Sequence, residues 1–175
     1  DPYLPQIAAA VPADRKTMIF TPLCATAEKL HGILEKHGRQ SFYASGEDRT
    51  QIAAWEAAGP GSVMLNAMLL NEGYDHPAID CICVLRATKS RPFYAQMVGR
   101  GTRLFEGKRD LLVLDFLWHT AKHELAHPAH LTAERPDIAA KMTELSASAA
   151  GQPDAQMELD VLEKQAAGLV QKERE

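Results

Sequence analysis

Short β-favouring runs alternate with stretches of helical periodicity along most of this chain, and that alternation restricts the fold more than any other feature. Thr17 to Phe20 is a β-favouring run stopped by Pro22. Ala25 to His37 follows with Ala27, Leu30, Ile33 and Leu34 at helical spacing, closed by Gly38. The unit recurs as a strand over Ser41 to Ala44 with a helix over Arg49 to Ala58, then as a strand over Ser62 to Leu65 with a short helix from Ala67. Asp80 to Leu85 reads as a buried strand, Pro92 to Leu104 as a helix and Leu111 to Phe116 as a last strand. Strands that alternate with helices predict an α/β fold, a parallel sheet with helices on both faces. Ligands of such sheets collect where strands end, which singles out residues 21–24, 45–49, 66–75 and 86–91.

Composition bears on what flanks that body. Apolar residues make up 46% of the 175 and charged residues 24%, the balance of a globular protein in water. The longest apolar stretch, around Ile79 to Leu85, falls far short of the roughly 20 residues a membrane span needs, so no membrane partner is expected. Three sparse cysteines, Cys24, Cys81 and Cys83, fit a reducing compartment and a cytoplasmic location. Residues 1–15, with Pro2, Pro5 and Pro12, are expected to be an extended linker from an upstream domain, the whole being a piece of a longer polypeptide. Residues 16–130 would form the α/β domain and residues 131–175 an acidic helical appendage. That appendage holds five Lys or Arg against nine Asp or Glu, and so carries the net charge of -4. Its Leu162, Ala166 and Leu169 make a narrow apolar stripe expected to dock on something. Within residues 86–109 the balance reverses: Arg86, Lys89, Arg91, Arg100, Arg103, Lys108 and Arg109 face Glu106 alone, which predicts an anionic ligand.

The densest polar cluster is Gln96-Met97-Val98-Gly99-Arg100-Gly101-Thr102-Arg103. On a helix turning about 100° per residue, Gln96, Arg100 and Arg103 fall within about 60° of one another, with Met97, Gly101 and Leu104 turned to the core. Two guanidiniums and an amide then converge, and guanidinium is the group suited to spreading the negative charge of a phosphoryl oxygen. A solvated amphipathic face is the plainer reading of two such arginines, and the neighbouring segments decide between them.

Those segments are Asn66-Ala67-Met68-Leu69-Leu70-Asn71-Glu72-Gly73-Tyr74-Asp75-His76-Pro77, the strand after it, and Arg86-Ala87-Thr88-Lys89-Ser90-Arg91. With the Gln-x-x-Gly-Arg-x-x-Arg string they resemble the second, C-terminal RecA-like motor domain of superfamily 2 helicases and translocases over roughly residues 16–118. Thr17 to Pro22 resembles motif IV of that family, Asn66 to Asp75 motif V and Gln96 to Arg103 motif VI. The Glu-Gly-Tyr-Asp-x-Pro and Gly-Arg-Gly-Thr-Arg forms are similar to the DEAD/DEAH-type group that includes restriction-enzyme and phage helicases.

The resemblance implies a RecA-like fold and a division of roles. Arg100 and Arg103 would be the catalytic arginines that reach the phosphates of ATP across a cleft, with Arg103 at the finger position. Gln96, Gly73 and Asp75 would serve the nucleotide, and Thr21, Arg49, Asn66, Ala67 and Lys89 the nucleic-acid backbone, with DNA ahead of RNA as the partner. Asn66 stands where Thr or Ser is commoner. A helix beginning at Ala67 would also offer free backbone amides to a phosphate on physical grounds alone.

ATP hydrolysis further requires a Gly-x-x-x-x-Gly-Lys-Ser/Thr loop working with a carboxylate for Mg²⁺, and this chain has no such loop. Gly107-Lys108 is followed by Arg109 and has Thr102 where the first glycine belongs. ATP and Mg²⁺ are therefore expected to act in a full-length enzyme whose first RecA-like domain lies upstream, with this fragment inactive alone. No metal is expected here. The alternative is a zinc-dependent hydrolase built on His123-Glu124-Leu125-Ala126-His127, with His123 and His127 as ligands and Glu124 as base. A second alternative is a non-catalytic scaffold acting through the C-terminal stripe.

Overall fold

The computed structural model describes residues 2–46, 48–67, 74–116, 128–133, 135–149 and 159–172. The chain divides into two compact units, the first made of residues 1–87 and 92–117, the second of 88–91 and 118–175.

The first unit opens with α1 (Leu4–Ala10), where an extended linker was expected. Pro5 sits in its first turn, where its missing N–H costs nothing. Leu4, Ile7, Ala8 and Val11, at i, i+3, i+4 and i+7, are all buried against the rest of the core. The segment is thus a core helix. Then come β1 (Thr17–Phe20), α2 (Cys24–Lys36), β2 (Ser41–Ala44), α3 (Gln51–Ala57), β3 (Val63–Asn66), β4 (Cys81–Val84), α4 (Arg91–Gly99) and β5 (Leu112–Asp115).

The five strands pair in the order β2-β3-β1-β4-β5, every pair parallel. This is the parallel α/β sheet that the alternation predicts, and the RecA-like fold that the resemblance implies. The central strand β1 is buried along its whole length, as is β4, because helices cover both faces. Ile19, Val63, Leu65 and Cys83 project to one face, where α1 and α2 supply Leu4, Ile7, Ala27, Leu30 and Leu34. Met18, Met64 and Ile82 alternate to the other face. Right-handed crossovers put α3 and α4 there, since α2 leads from β1 toward one sheet edge and α3 and α4 lead the opposite way.

Two fastenings set the helices of that second face. Lys16, just before β1, is buried, and its ammonium donates to the carbonyls of Trp55 (2.6 Å) and Ala58 (2.5 Å) at the end of α3. The positive charge thus meets the negative end of the helix dipole and lies 4.9 Å from the Trp55 ring centre. Burial pushes the Lys16 amine below its ordinary value. On α4, the buried Tyr94 hydroxyl donates to Asp115 at the end of β5 (3.1 Å).

Expected and observed boundaries differ most at α4, which stops at Gly99 instead of running to Leu104. Three short-range bonds carry the chain on, from Arg100 N–H to Met97, Gly101 N–H to Val98 and Thr102 N–H to Gly99. Gly101 is packed so closely that a β-carbon there would stand 2.3 Å from Leu111 Cδ1 and 3.1 Å from Ile82 Cγ1. Two poor helix formers within three residues end the element before the polar periodicity does.

The second unit contains α5 (Ala129–Thr132), α6 (Pro136–Ala149) and α7 (Leu159–Lys172). Its core is Ala129, Met142, Leu162 and Ala166, flanked by Ala133, Ile138 and Leu145. Two members of the expected stripe, Leu162 and Ala166, are therefore covered within the unit, and Leu169 stays at its rim. Among the described residues no helix is long and apolar enough to cross a membrane.

Gly61 provides a test of how the chain enters the sheet. Its φ of 84° lies in the left-handed region, its N–H donates to Arg15, and a β-carbon there would come 2.4 Å from the Ala13 carbonyl oxygen. Gly61→Ala should cost about 2 kcal/mol or more of unfolding free energy in urea titrations. Gly59→Ala, whose β-carbon meets nothing within 4 Å, should change it by less than about 0.5 kcal/mol.

Candidate nucleotide and nucleic-acid site

The topology separates the expected site residues between the two edges of the sheet. Thr21 and Asn66 stand at the carboxyl edge, at the ends of the adjacent strands β1 and β3. Arg100 and Arg103 follow α4, which runs back from the end of β4 toward the start of β5, so they lie at the amino edge. The packing of Gly101 on Leu111 and Ile82 fixes that placement. The residues after Asn66 begin at one edge, and Tyr74 to Asp80 reach the other, where Asp80 leads into β4.

At the carboxyl edge the expected contacts divide by burial. Thr21 is fully buried, and its N–H (3.0 Å) and hydroxyl (3.3 Å) both reach the Asn66 carbonyl, the hydroxyl also lying 3.3 Å from the Leu23 carbonyl. Asn66 is fully buried too, and Ala67 is 8% exposed. The Thr21 hydroxyl accordingly braces the turn from within through the Asn66 carbonyl, and both residues are buried where the resemblance implies contact with nucleic acid. Arg49 is exposed in the loop before α3, which Asp48 organises by accepting from the Thr50 N–H (2.9 Å) and hydroxyl (2.7 Å). Lys89 is exposed between β4 and α4. Arg86, at the end of β4, lies 5.0 Å from the Phe93 ring centre.

At the amino edge the structure brings together residues far apart in sequence. The Arg100 guanidinium donates to the Tyr74 carbonyl at 2.6 Å. Arg103 Nε pairs with Asp75 Oδ1 at 3.1 Å. Lys108 donates to the Pro77 carbonyl at 3.4 Å, to the Arg103 carbonyl at 2.9 Å and to the Gly101 carbonyl. Three cations from one turn thus rest on residues 74–77. That strip is held from below: the Tyr74 ring stacks on Trp55 with centres 6.3 Å apart, and His76 lies 5.3 Å from the same indole. Burial raises the Tyr74 phenol far above its ordinary value, and burial with the nearby Lys16 charge lowers His76. Both side chains are thereby kept neutral near pH 7.

The arginines differ in availability. Arg100 is half-buried, while the Arg103 and Asp75 side chains are 59% and 47% exposed. An exposed pair of this kind is worth at most about 1 kcal/mol, so Arg103 can leave Asp75 at little cost. The carboxylate is an oxyanion, as a phosphate is, and the guanidinium already addresses it. The donor set therefore fits a phosphorylated ligand. Gln96 is exposed on α4, one turn before Arg100. Gly73 and the string from His123 to His127 lie outside the described residues, and among the described residues no three His, Cys, Asp or Glu cluster as a metal would require. Sequence reasoning missed Lys108 and the Tyr74 carbonyl. Gly107-Lys108 does carry a turn signal, but nothing in the sequence tells which carbonyls the lysine reaches.

A five-stranded parallel sheet of this order, with helices on both faces, is a RecA-like fold. The chain belongs to the helicase conserved C-terminal domain family, which matches residues 3–105. It is 30% identical over 128 residues to a protein of Saccharomyces cerevisiae named as the ATP-dependent helicase IRC3, covering 71% of this chain and 19% of that one. It is 40% identical over 92 residues to a protein of Schizosaccharomyces pombe named as a mitochondrial ATP-dependent helicase, covering 53% of this chain and 15% of that one. The chain thus spans less than a fifth of these relatives. Among solved structures, a fragment assigned to the HsdR subunit of a type I restriction enzyme from Vibrio vulnificus superposes with a TM-score of 0.55 at 21% identity, over 69% of this chain and 27% of that one. The C-terminal domain of the DEAD-box protein Dbp5 gives 0.53 at 15% identity, over 95% and 89%.

Two substitutions separate the loose from the fixed parts of this site. Asp75→Asn should change unfolding free energy by less than about 1 kcal/mol in chemical denaturation. Tyr94→Phe, which removes the buried hydrogen bond to Asp115, should cost about 1 kcal/mol or more.

Proposed function

We propose that this domain is the C-terminal motor half of an ATP-dependent nucleic-acid helicase or translocase, acting with a RecA-like domain elsewhere in the same polypeptide. The observation that carries the reading is Arg103, exposed, at the amino edge beside Arg100, with its guanidinium paired to an exposed carboxylate. Arg103 is the finger, moving from Asp75 to a phosphate oxygen when the two domains close, and Arg100 is the steadier of the pair. Asp75, once released, joins Gln96 and Gly73 as a contact for the nucleotide. Nothing in the sequence of this domain cradles a triphosphate, so the P-loop and the carboxylate for Mg²⁺ come from the other domain. ATP supplies the phosphoanhydride whose hydrolysis drives the cycle; this chain's part is to bring positive charge to it.

Nucleic acid belongs at the carboxyl edge. The exposed cation Arg49 and the backbone at Ala67 meet phosphates there, on a turn that the Thr21 hydroxyl braces through the Asn66 carbonyl; the exposed Lys89 is a further cation for the nucleic-acid backbone. Such contacts read the backbone and carry little sequence preference. The motif forms that resemble restriction-enzyme motors favour DNA over RNA.

The experiment is a steady-state ATPase assay on the full-length polypeptide with and without nucleic acid. Arg103→Ala should lower kcat by at least about 10³-fold, the scale on which arginine fingers act. An unchanged kcat would remove the reading. The isolated domain should show no hydrolysis above background. Arg49→Ala combined with Lys89→Ala should weaken nucleic-acid binding at every sequence tried and flatten the slope of log affinity against log salt by about 2.

A further inference from the structure

Lys108 lies five residues beyond Arg103 and belongs to none of motifs IV, V or VI. The Gly107-Lys108 pair that fails as a phosphate loop has a different use in the fold. Phe105 to Lys108 is a tight turn closed by the Lys108 N–H on the Phe105 carbonyl at 3.1 Å, with Gly107 at φ 81°. A positive φ at the third position is what a type II turn demands, and glycine supplies it without strain. The turn folds the chain back on itself. Lys108 is partly buried in a run where residues 102–107 and 109 are all exposed, because its side chain lies under the loop that carries the arginine.

Its ammonium has three protons and meets three carbonyls, those of Gly101, Arg103 and Pro77. Two of these follow α4, whose last carbonyls have no partners within the helix, and a cation is the complement to that end. The third belongs to the strip that receives Arg103. The lysine therefore ties the backbone of the finger residue both to the turn before it and to the strip holding Asp75. The side chain of Arg103 stays exposed and easily released while its main chain is fixed.

We propose that Lys108 is a positioning residue for Arg103: it holds the main chain of the finger so that only the guanidinium moves when the nucleotide arrives. This inference rests on the assignment of Arg103 as the finger. A compact ammonium suits three carbonyls converging from three directions, which a planar guanidinium or a neutral thioether does not reproduce.

The test uses nucleic-acid-stimulated ATPase of the full-length polypeptide with four proteins: unaltered, Lys108→Met, Arg103→Ala and the double variant. Lys108→Met keeps the length of the stem and removes all three donors. It should lower kcat by about 10- to 100-fold, the scale set by ångström misplacement of a catalytic group, and leave KM for ATP within about twofold. In the Arg103→Ala background the same substitution should cost no further activity, because the residue it positions is gone. Lys108→Arg, which keeps the charge but not the fit, should fall between the unaltered protein and Lys108→Met. A Lys108→Met enzyme within twofold of the unaltered one, beside a strongly impaired Arg103→Ala, would overturn the role of Lys108 and leave the finger standing. So would equal fold losses in both backgrounds, or a Lys108→Met protein unfolded by circular dichroism at the assay temperature, either of which makes the lysine a general fold determinant. An Arg103→Ala enzyme of full activity would instead remove the finger itself.

Discussion

Three cations in one turn would repel one another if water were their only partner, and the arrangement of this domain depends on where that repulsion is absorbed. Arg100, Arg103 and Lys108 all reach residues 74–77, two through backbone carbonyls and one through a carboxylate. Carbonyl oxygens neutralise part of the positive charge without a formal countercharge, so the site keeps a net attraction for anions. The two groups bonded to carbonyls are fixed parts of the framework. The one that rests on an exposed carboxylate is the least firmly held, so under the proposed function chemistry and architecture fall to different side chains of the same charge.

The strip that receives the cations has its own support. Tyr74 and His76 lean on Trp55, and Trp55 ends a helix that Lys16 fastens to the start of the central strand. A chain of contacts therefore runs from the core through α3 to the strip and then to the arginine turn. Burial keeps Tyr74 and His76 uncharged, so this support does not alter the charge seen by a ligand near neutral pH. At the far edge of the sheet a different chain of contacts, from Thr21 to Asn66, shapes the turn assigned to nucleic acid.

The sheet was legible because each strand is a short apolar run between helical repeats, and burial of β1 and β4 on both faces leaves no polar alternation to confuse the reading. The motif arginines were legible for a similar reason, since their spacing is local. What escaped was set by composition masking periodicity or by contacts distant in sequence. The prolines near the start suggested a linker, although Leu4, Ile7, Ala8 and Val11 already carry the spacing of a buried helix and Pro5 merely begins it. The polar face through Arg103 suggested a longer α4, although Gly99 and Gly101 end it where the chain must press against Leu111. The burial of Thr21 and Asn66 follows from strand order, which depends on pairing between β1 and β3 across more than forty residues. No local pattern encodes that.

The pairing of Arg103 with Asp75 also bears on what the unoccupied domain avoids. A guanidinium with only water around it is open to any phosphodiester that drifts past, and the proposed role on nucleic acid would surround it with them. An exposed carboxylate in that position competes with weak, monodentate encounters at a cost of at most about 1 kcal/mol. Because the surface pair is worth at most about 1 kcal/mol, the penalty on the proper ligand is no more than about fivefold in affinity. On the proposed function, a single aspartate would thus help the domain tell its track from its fuel.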